Sequence, residues 1–241
     1  MKKILFLFIA AVTFGCTNDD NSSVNPETGT GTKLSKISYQ SESMAGYSSY
    51  FYDKDKLSDI IETNINHELS YRHEMVYDGD NLVKIKHYRD GKYLNDQDTD
   101  YTYSNGRITE AFTRTTDFSY KTEYKYNSKG ELLSQSRIIG NGSPETTTYT
   151  YDNNGNIKTV SSNSFDTVYE YSYDNKVNPE YYAYPKAIAV INGLSKNNTL
   201  SRKSSYEFNN FTYSYTYNEA GLPIERKTLS GFSETAVYEY K

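Results

Sequence analysis

Between Thr146 and Val160 the chain reads TTTYTYDNNGNIKTV, and the same phrase returns as YDGDNLVKI, YTYSNGRI, YKYNSKGELL and YTYNEAGLPI. A Tyr precedes each polar turn, at Tyr52, Tyr77, Tyr103, Tyr126, Tyr151, Tyr173 and Tyr217, so the spacings are 25, 26, 23, 25, 22 and 44 residues. The last spacing reads as two units with one degenerate anchor. A near-constant period of this size marks a repeat architecture. Each unit has room for two strands of about eight residues and two turns, since hairpin loops run about 2–5 residues. Alternation of Tyr and Thr at period two favours strand over helix, and both residues suit a pleated, half-buried surface.

The turn chemistry predicts the register. In YDNNGNI, a three-residue loop Asn153-Asn154-Gly155 with Gly in the left-handed position sets Asp152 against Asn156, Tyr151 against Ile157 and Tyr149 against Thr159. The same geometry sets Tyr126 against Leu132. YSNGRI is one residue shorter and carries Asn105-Gly106, the two-residue type I′ signal, which pairs Ser104 with Arg107 and Tyr103 with Ile108. Two loops of different length thus give one pairing of Tyr with an aliphatic residue. A slip of one residue would send the apolar set to the wrong face, so the agreement is informative.

Opposite turns are legible at Asp90-Gly91, at GNGSPE (140–145) and at SGFS (230–233). The expected fold is all-β: an antiparallel meander of about a dozen strands, strongly twisted or curled into an open half-barrel. The face alternating with Tyr carries Thr146, Thr148 and Thr150 in one strand and Glu123 and Lys125 in another, so the expectation excludes a transmembrane barrel. One stretch, about 174–200, interrupts the rhythm. Pro179 and Pro185 oppose a regular central strand there. It reads as a long connection, an edge element capping the sheet, or a binding loop.

The first residues, MKKILFLFIAAVTFGC, set two lysines before an apolar run from Ile4 to Val12 and end on the chain's single Cys. That order is a secretory signal, too short to span a bilayer. A lone Cys at its end points to lipid attachment at Cys16 rather than a disulfide. TFGC resembles the lipobox of bacterial lipoproteins, matching at Gly15-Cys16 and departing from it at Thr13 and Phe14. Residues 1–15 are therefore expected as signal peptide, 16–33 as lipidated Cys and polar tether, and 34–241 as one β-repeat domain. Acidic residues directly behind Cys16 resemble the surface-export signal of Bacteroidota-type lipoproteins. That resemblance implies an outer-membrane lipoprotein at the cell surface, with the periplasmic face as the alternative.

The repeats resemble the Tyr-Asp (YD, or RHS-like) repeat proteins, through YTYDNNGNI and YKYNSKGEL. More narrowly, the chain from about 34 to 241 is similar to a family of uncharacterised Bacteroidota-type lipoproteins. The residues that carry this are DNKVNP (174–179), SKNN (195–198) and YNEAGLP (217–223). The resemblance implies an all-β repeat sheet and lipoprotein status, and it brings no catalytic residues.

Chemistry is sparse. The formal charge of −5 argues against nucleic acid, which calls for a basic face. HELSYRH fails the zincin pattern because Tyr71 occupies the slot of the second His, and His67 and His73 on a strand stand about 20 Å apart. The Asp clusters at 53–55 and 78–81 lack the Gly and Glu of a calcium loop and suit turns. No nucleophile elbow or phosphate loop stands out, so neither metal nor cofactor is expected and no enzyme is expected. What remains is aromatic surface, since 27 of the 241 residues are Tyr and none is Trp. Tyr124, Tyr126, Tyr149 and Tyr151, with Tyr181, Tyr182 and Tyr184 of the irregular stretch, are the candidate ligand-binding rings. They could stack sugar rings, or they could form the sheet's own hydrophobic face. The functional expectation is a non-enzymatic surface binding or scaffold module with a glycan or envelope protein as partner. A carbohydrate-binding accessory lipoprotein is the alternative, and a small secreted hydrolase the second alternative.

Overall fold

The computed structural model describes residues 32–241 apart from 96, 141, 165–166, 205, 207–209 and 231–232. The signal, Cys16 and most of the tether lie outside the described residues. The strands are β1 (Leu34–Ser41), β2 (Ala45–Asp53), β3 (Lys56–Asn64), β4 (Leu69–Asp78), β5 (Asn81–Arg89), β6 (Lys92–Tyr93), β7 (Thr99–Ser104), β8 (Arg107–Arg114) and β9 (Ser119–Tyr126). They continue as β10 (Leu132–Ile139), β11 (Glu145–Tyr151), β12 (Ile157–Ser162), β13 (Thr167–Val177), β14 (Asn197–Ser204), β15 (Phe211–Tyr217), β16 (Pro223–Thr228) and β17 (Glu234–Tyr240). Two short helices, α1 (Pro179–Ala183) and α2 (Lys186–Ile191), fall between β13 and β14.

All 17 strands form one sheet. Setting aside the two-residue β6, the other sixteen pair antiparallel in chain order, and β17 pairs back onto β1. The barrel is closed. This corrects the expected open half-barrel of about a dozen strands: both edges are consumed by the pairing of Leu34 with Tyr240 and on to Ser41 with Glu234. At the seam, Lys33 and Lys241 exchange backbone hydrogen bonds of 2.8 and 2.9 Å. Closure removes the unpaired ladder groups that an open sheet of this length would expose.

The turns hold the register that their chemistry predicts. Tyr151 faces Ile157, Tyr126 faces Leu132, Tyr103 faces Ile108 and Ser104 faces Arg107. Asp152 supports its loop by accepting from the Asn154 and Asn156 amides at 2.8 and 2.9 Å, and Gly155 takes the left-handed φ of 79°. Asn105 and Gly106 both have positive φ, 51° and 72°, as a type I′ turn requires.

One step beyond the loop, the expected pairing of Tyr149 with Thr159 is off by one: Tyr149 faces Val160 and Thr150 faces Thr159. The cause is a β-bulge. The ladder shifts between Phe51 and Tyr52, Val76 and Tyr77, Thr102 and Tyr103, Thr150 and Tyr151, Ser172 and Tyr173, and Thr216 and Tyr217. In each case the extra residue follows the residue that faces the Tyr. A bulge lets positions three apart share a face that simple alternation would separate. So Leu34 and Ile37, Leu57 and Ile60, Leu82 and Ile85, and Ile108 and Ala111 all point inward, and all but Ile85 are buried.

The bulge also explains the Tyr. Its hydroxyl donates to the carbonyl of the aliphatic residue one hairpin back: Tyr52 to Leu34 at 3.0 Å, Tyr77 to Leu57 at 2.8 Å and Tyr103 to Leu82 at 3.1 Å. Tyr126 to Ile108 (2.6 Å), Tyr151 to Leu132 (2.9 Å), Tyr173 to Ile157 (2.7 Å) and Tyr240 to Pro223 (2.6 Å) continue the series. In the remaining unit Tyr215 donates to Thr199 at 3.1 Å, while the hydroxyl of Tyr217 goes to Asp174. A ring of hydroxyl–carbonyl bonds thereby girdles one end of the barrel. Each is worth about 1 kcal/mol.

The irregular stretch is neither a plain connection nor an edge cap. The helices touch β1, β8 and β10, strands far apart around the circumference, and only an element inside the lumen can reach them all. Ala183, Ile188 and Ile191 join one apolar cluster with Leu34, Tyr50, Ile60, Met75, Ile108 and Tyr238. The stretch is a plug. It starts at Asn178, whose side chain accepts from the Glu180 amide at 3.1 Å, with Pro179 in the first turn where its missing N–H costs nothing. The 44-residue spacing from Tyr173 to Tyr217 is therefore one unit enlarged by the plug, not two units: Tyr173 still faces its partner, now Thr199.

The outward face carries ion pairs such as Arg72–Asp59 (2.7 Å), Lys86–Glu74 (3.2 Å) and Lys84–Asp100 (3.1 Å). Elsewhere it carries hydroxyl pairs, including Thr150–Thr159 (2.6 Å), Thr148–Ser161 (2.7 Å) and Ser172–Ser201 (2.6 Å). Phe51, Phe112, Val168 and Val237 are scattered exposed apolar residues among them.

Candidate functional site

The plug fills the lumen unevenly. Against β1–β8 it packs apolar side chains. Against β11–β17 it leaves a cavity of about 370 Å³, walled by Tyr149, Tyr171, Tyr213, Tyr215, Tyr238, Arg202 and Arg226, with Asn178, Glu180 and Asn192 from the plug and its start. A second cavity, of about 530 Å³, also touches Val160 and reaches the strand ends at Glu145 and Ser164.

The two arginines hold positions that are apolar in five of the six other units and held by Gln135 in the sixth. Arg226 lies three residues after Pro223 and Arg202 three after Thr199, the slot filled elsewhere by Ile37, Ile60, Ile85, Ala111 and Val160. The bulge turns that slot inward. Arg226 faces Tyr215 and Ala236 across the ladder, and Arg202 faces Tyr171 and Phe211.

Arg226 donates through Nη2 to Glu234 at 2.6 Å, and its guanidinium lies 5.2 Å from the centre of the Tyr213 ring. Its Nε–H is buried and finds no acceptor among the described residues. Arg202 stacks on Phe211 at 4.6 Å and on Tyr169 at 5.1 Å. Glu180 faces the cavity deep inside the barrel, where burial lifts its carboxyl above the usual range, partly opposed by Arg226 and the hydroxyl of Tyr50. Burial likewise pushes the Tyr171 and Tyr215 hydroxyls up, so both are neutral donors.

The rings singled out from the sequence divide. Tyr149 is buried in a cluster with Leu132 and Ile157, and it also walls the cavity. Tyr124, half-buried, packs against that cluster and lines the second cavity. Tyr126 and Tyr151 have their hydroxyls engaged in the carbonyl ring. Tyr181 is buried and meets the more exposed Tyr182 edge to face at 5.0 Å, and Tyr184 meets Tyr50 in the same manner at 6.5 Å. Only Tyr149 among the seven lines the arginine cavity. Arg202, Arg226, Glu180, Tyr171, Tyr213, Tyr215 and Tyr238 escaped sequence reasoning. The available signal was a cation at the third position after the residue facing the anchor Tyr, in two units.

DNKVNP and SKNN also gain a physical role. Asp174 accepts from the Asn198 amide and side chain, both at 3.1 Å, and Asn178 donates to the Ser195 carbonyl at 2.9 Å. Ser195 in turn bonds Tyr173 at 2.9 Å and accepts from the Ile157 amide at 3.1 Å. These residues clamp the two feet of the plug to each other and to the neighbouring hairpin.

A third polar group lies on the opposite wall. His73 and His87 face each other with Nδ1 atoms 2.8 Å apart, and Glu62 stands 3.6 Å from Nε2 of His73. Desolvation, then the neighbouring His73, lowers the His87 pKa to about 4, and His73 holds the Glu62 carboxyl below its usual value. His67 takes no part in this group; it lies outside the strands, in the turn before β4. Among the described residues no cluster of three or more His, Cys, Asp or Glu could hold a metal.

A family model described as the Teneurin YD-shell matches residues 102–180. The repeat is YD-like, over 79 of 241 residues by that match. Among solved structures, the barrel is similar to a porin-like protein from Bacteroides uniformis ATCC 8492, with a TM-score of 0.60 and 14% identity, covering 88% of this chain and 99% of that one. No curated protein matches the chain. At that identity the likeness is one of fold. Its outward positions carry the charged and hydroxyl pairs described above, whereas a lipid-facing barrel presents a continuous apolar band there. Among the described residues no helix is long and apolar enough to cross a membrane.

Proposed function

We propose that this chain is a non-enzymatic binding module of the cell envelope, tethered through a lipid on Cys16, whose working part is the lumen. The observation that carries the reading is the cavity of about 370 Å³ beside the plug, walled by tyrosines and two arginines and held on closed-barrel strands. Its size lies at the lower end of the ~300–1,000 Å³ typical of small-ligand pockets. Rigid strands position such a site better than loops do.

The tether follows from the leader MKKILFLFIAAVTFGC, and display on the outer membrane from the acidic stretch behind Cys16. The resemblance of DNKVNP, SKNN and YNEAGLP to segments of Bacteroidota-type lipoproteins, read from the sequence, points to the same address. Cys16→Ser is expected to abolish palmitate labelling and membrane retention, and continued labelling of that variant would remove the anchor. For the binding role, the full chain in detergent is screened on a glycan array and by polysaccharide pulldown. Saturable binding that Tyr171→Ala or Tyr215→Ala weakens supports a lumenal site. Binding unaffected by either change would move the function to the outer surface, as a scaffold for envelope proteins.

A further inference from the structure

The lumenal reading leaves the ligand's chemistry open, and the wall of the cavity narrows it. Two guanidinium groups line it, Arg202 and Arg226, against a single carboxyl, Glu180. Glu234, the partner of Arg226, engages Nη2 and leaves the buried Nε–H without an acceptor among the described residues. A guanidinium presents its donors in a planar fork that matches a carboxylate. Unpaired buried donors are uncommon in native proteins.

The rest of the wall is aromatic and hydroxylated. Tyr171, Tyr213 and Tyr238 bring ring faces and hydroxyl groups. Tyr215 brings a ring face while its hydroxyl is held by the Thr199 carbonyl, and Asn178 and Asn192 bring amides from the plug side. Ring faces suit the C–H face of a pyranose, and hydroxyls and amides suit its OH groups. The volume admits about one or two sugar rings on the scale of known pockets.

We infer that the cavity takes a carboxylate-bearing sugar of the uronic acid class, its carboxylate held by Arg226 with Arg202 beside it, and its ring against the tyrosine wall. The inference rests on the lumenal binding reading. Glu180 lines the same cavity, and its neutral form, which burial favours, can donate a hydrogen bond to a ligand hydroxyl. The preference follows because a neutral sugar offers no charged acceptor to the guanidinium donors that Glu234 leaves unpaired.

The test is calorimetric titration of the full-length chain in detergent with galacturonate and glucuronate mono- and disaccharides, beside galactose and glucose counterparts. The expected result is uronate binding at least about tenfold tighter than its neutral counterpart, from one charge-assisted pair. Arg226→Gln is expected to lower uronate affinity about tenfold to a hundredfold, with neutral-sugar binding changed less than about threefold. Arg226→Lys retains charge without the fork and falls between.

Equal affinity for acidic and neutral sugars overturns the inference and leaves the lumenal site standing. Absence of binding to both sets overturns the inference. If the tyrosine variants also leave glycan-array signals unchanged, the lumenal reading falls separately. Should Arg226→Gln unfold, Arg202→Gln and the wild-type comparison of acid with neutral sugar decide the matter.

Discussion

The wall formed by β1–β8 and the wall formed by β14–β17 obey one register rule and end in opposite environments. In both, a bulge beside the anchor turns the third following residue inward. On the first wall that residue is Ile37, Ile60, Ile85 or Ala111, and the plug packs against it. On the second it is Arg202 or Arg226, and a cavity remains. The repeat therefore supplies geometry, and the residue in this slot sets the chemistry of each wall, apolar under the plug and cationic beside the cavity. An apolar slot contributes burial worth roughly 25 cal/mol per Å². A guanidinium there cannot be covered by Ile188 or Ile191 and has to be solvated or paired.

The sharpest way to break this contrast is to exchange the slots. Ile60 is 3% exposed, and Ile60→Arg places a cation inside the apolar cluster under the plug. A loss of about 3–5 kcal/mol in denaturant unfolding is expected. If the variant is as stable as the parent, the two walls are not chemically distinct.

The tyrosine ring runs around both walls and should titrate on both. Burial pushes Tyr52, Tyr77 and Tyr126 up to about 12 each and raises Tyr215 and Tyr240 of the second wall as well. Because the folded values lie above the unfolded value of about 10, this stability is present below pH 10 and drains away as pH rises toward 12. Spectrophotometric titration should show a class of late-ionising tyrosines still protonated at about pH 11, followed by cooperative unfolding. Ordinary ionisation near pH 10 would contradict the buried ring.

Acid should weaken the first wall alone, through the His73–His87 contact. The folded pKa of His87 is about 4 against an ordinary 6.5, so its contribution is present above pH 6.5 and is lost as pH falls toward 4. The lowered Glu62 carboxyl adds a loss in the same direction at still lower pH. After allowance for solvent screening the His87 effect is on the order of 1–2 kcal/mol. His87→Asn should flatten the stability profile between pH 6.5 and 4, and an unchanged slope would assign the acid sensitivity elsewhere.

The smallest expected effect is at one link of the girdle. Tyr126→Phe removes the hydroxyl that donates to Ile108 at 2.6 Å and keeps the ring. A loss of about 1 kcal/mol is expected from thermal or denaturant unfolding. A neutral result would mean that the girdle reflects ring packing and that its hydroxyl bonds add little.

Much of the hairpin framework was legible in the residues themselves. Asp152, Asn105 and Gly155 specify their loops through contacts within about four residues, so the facing of Tyr151 and Ile157 needs no tertiary information. The bulge was hidden because a spacing of three between Leu57 and Ile60 breaks strand alternation and resembles no strand pattern when alternation is assumed. Tyr240 was missed as an anchor for a related reason: its partner Leu34 lies at the other end of the domain, with no turn joining them.

By itself the sequence determined the hairpin, its register, and the Tyr-to-aliphatic pairing around which every unit is built, because these depend on a few neighbouring dihedrals and side-chain bonds. Only the tertiary structure decided that eight such hairpins curl far enough for β17 to meet β1, that 179–191 turns inward as helices, and that two arginines converge on one cavity. Closure sums the twist and bulge of every strand pair, and no local segment contains that sum. The plug follows closure, since its apolar side chains have a surface to bury against only once the lumen exists.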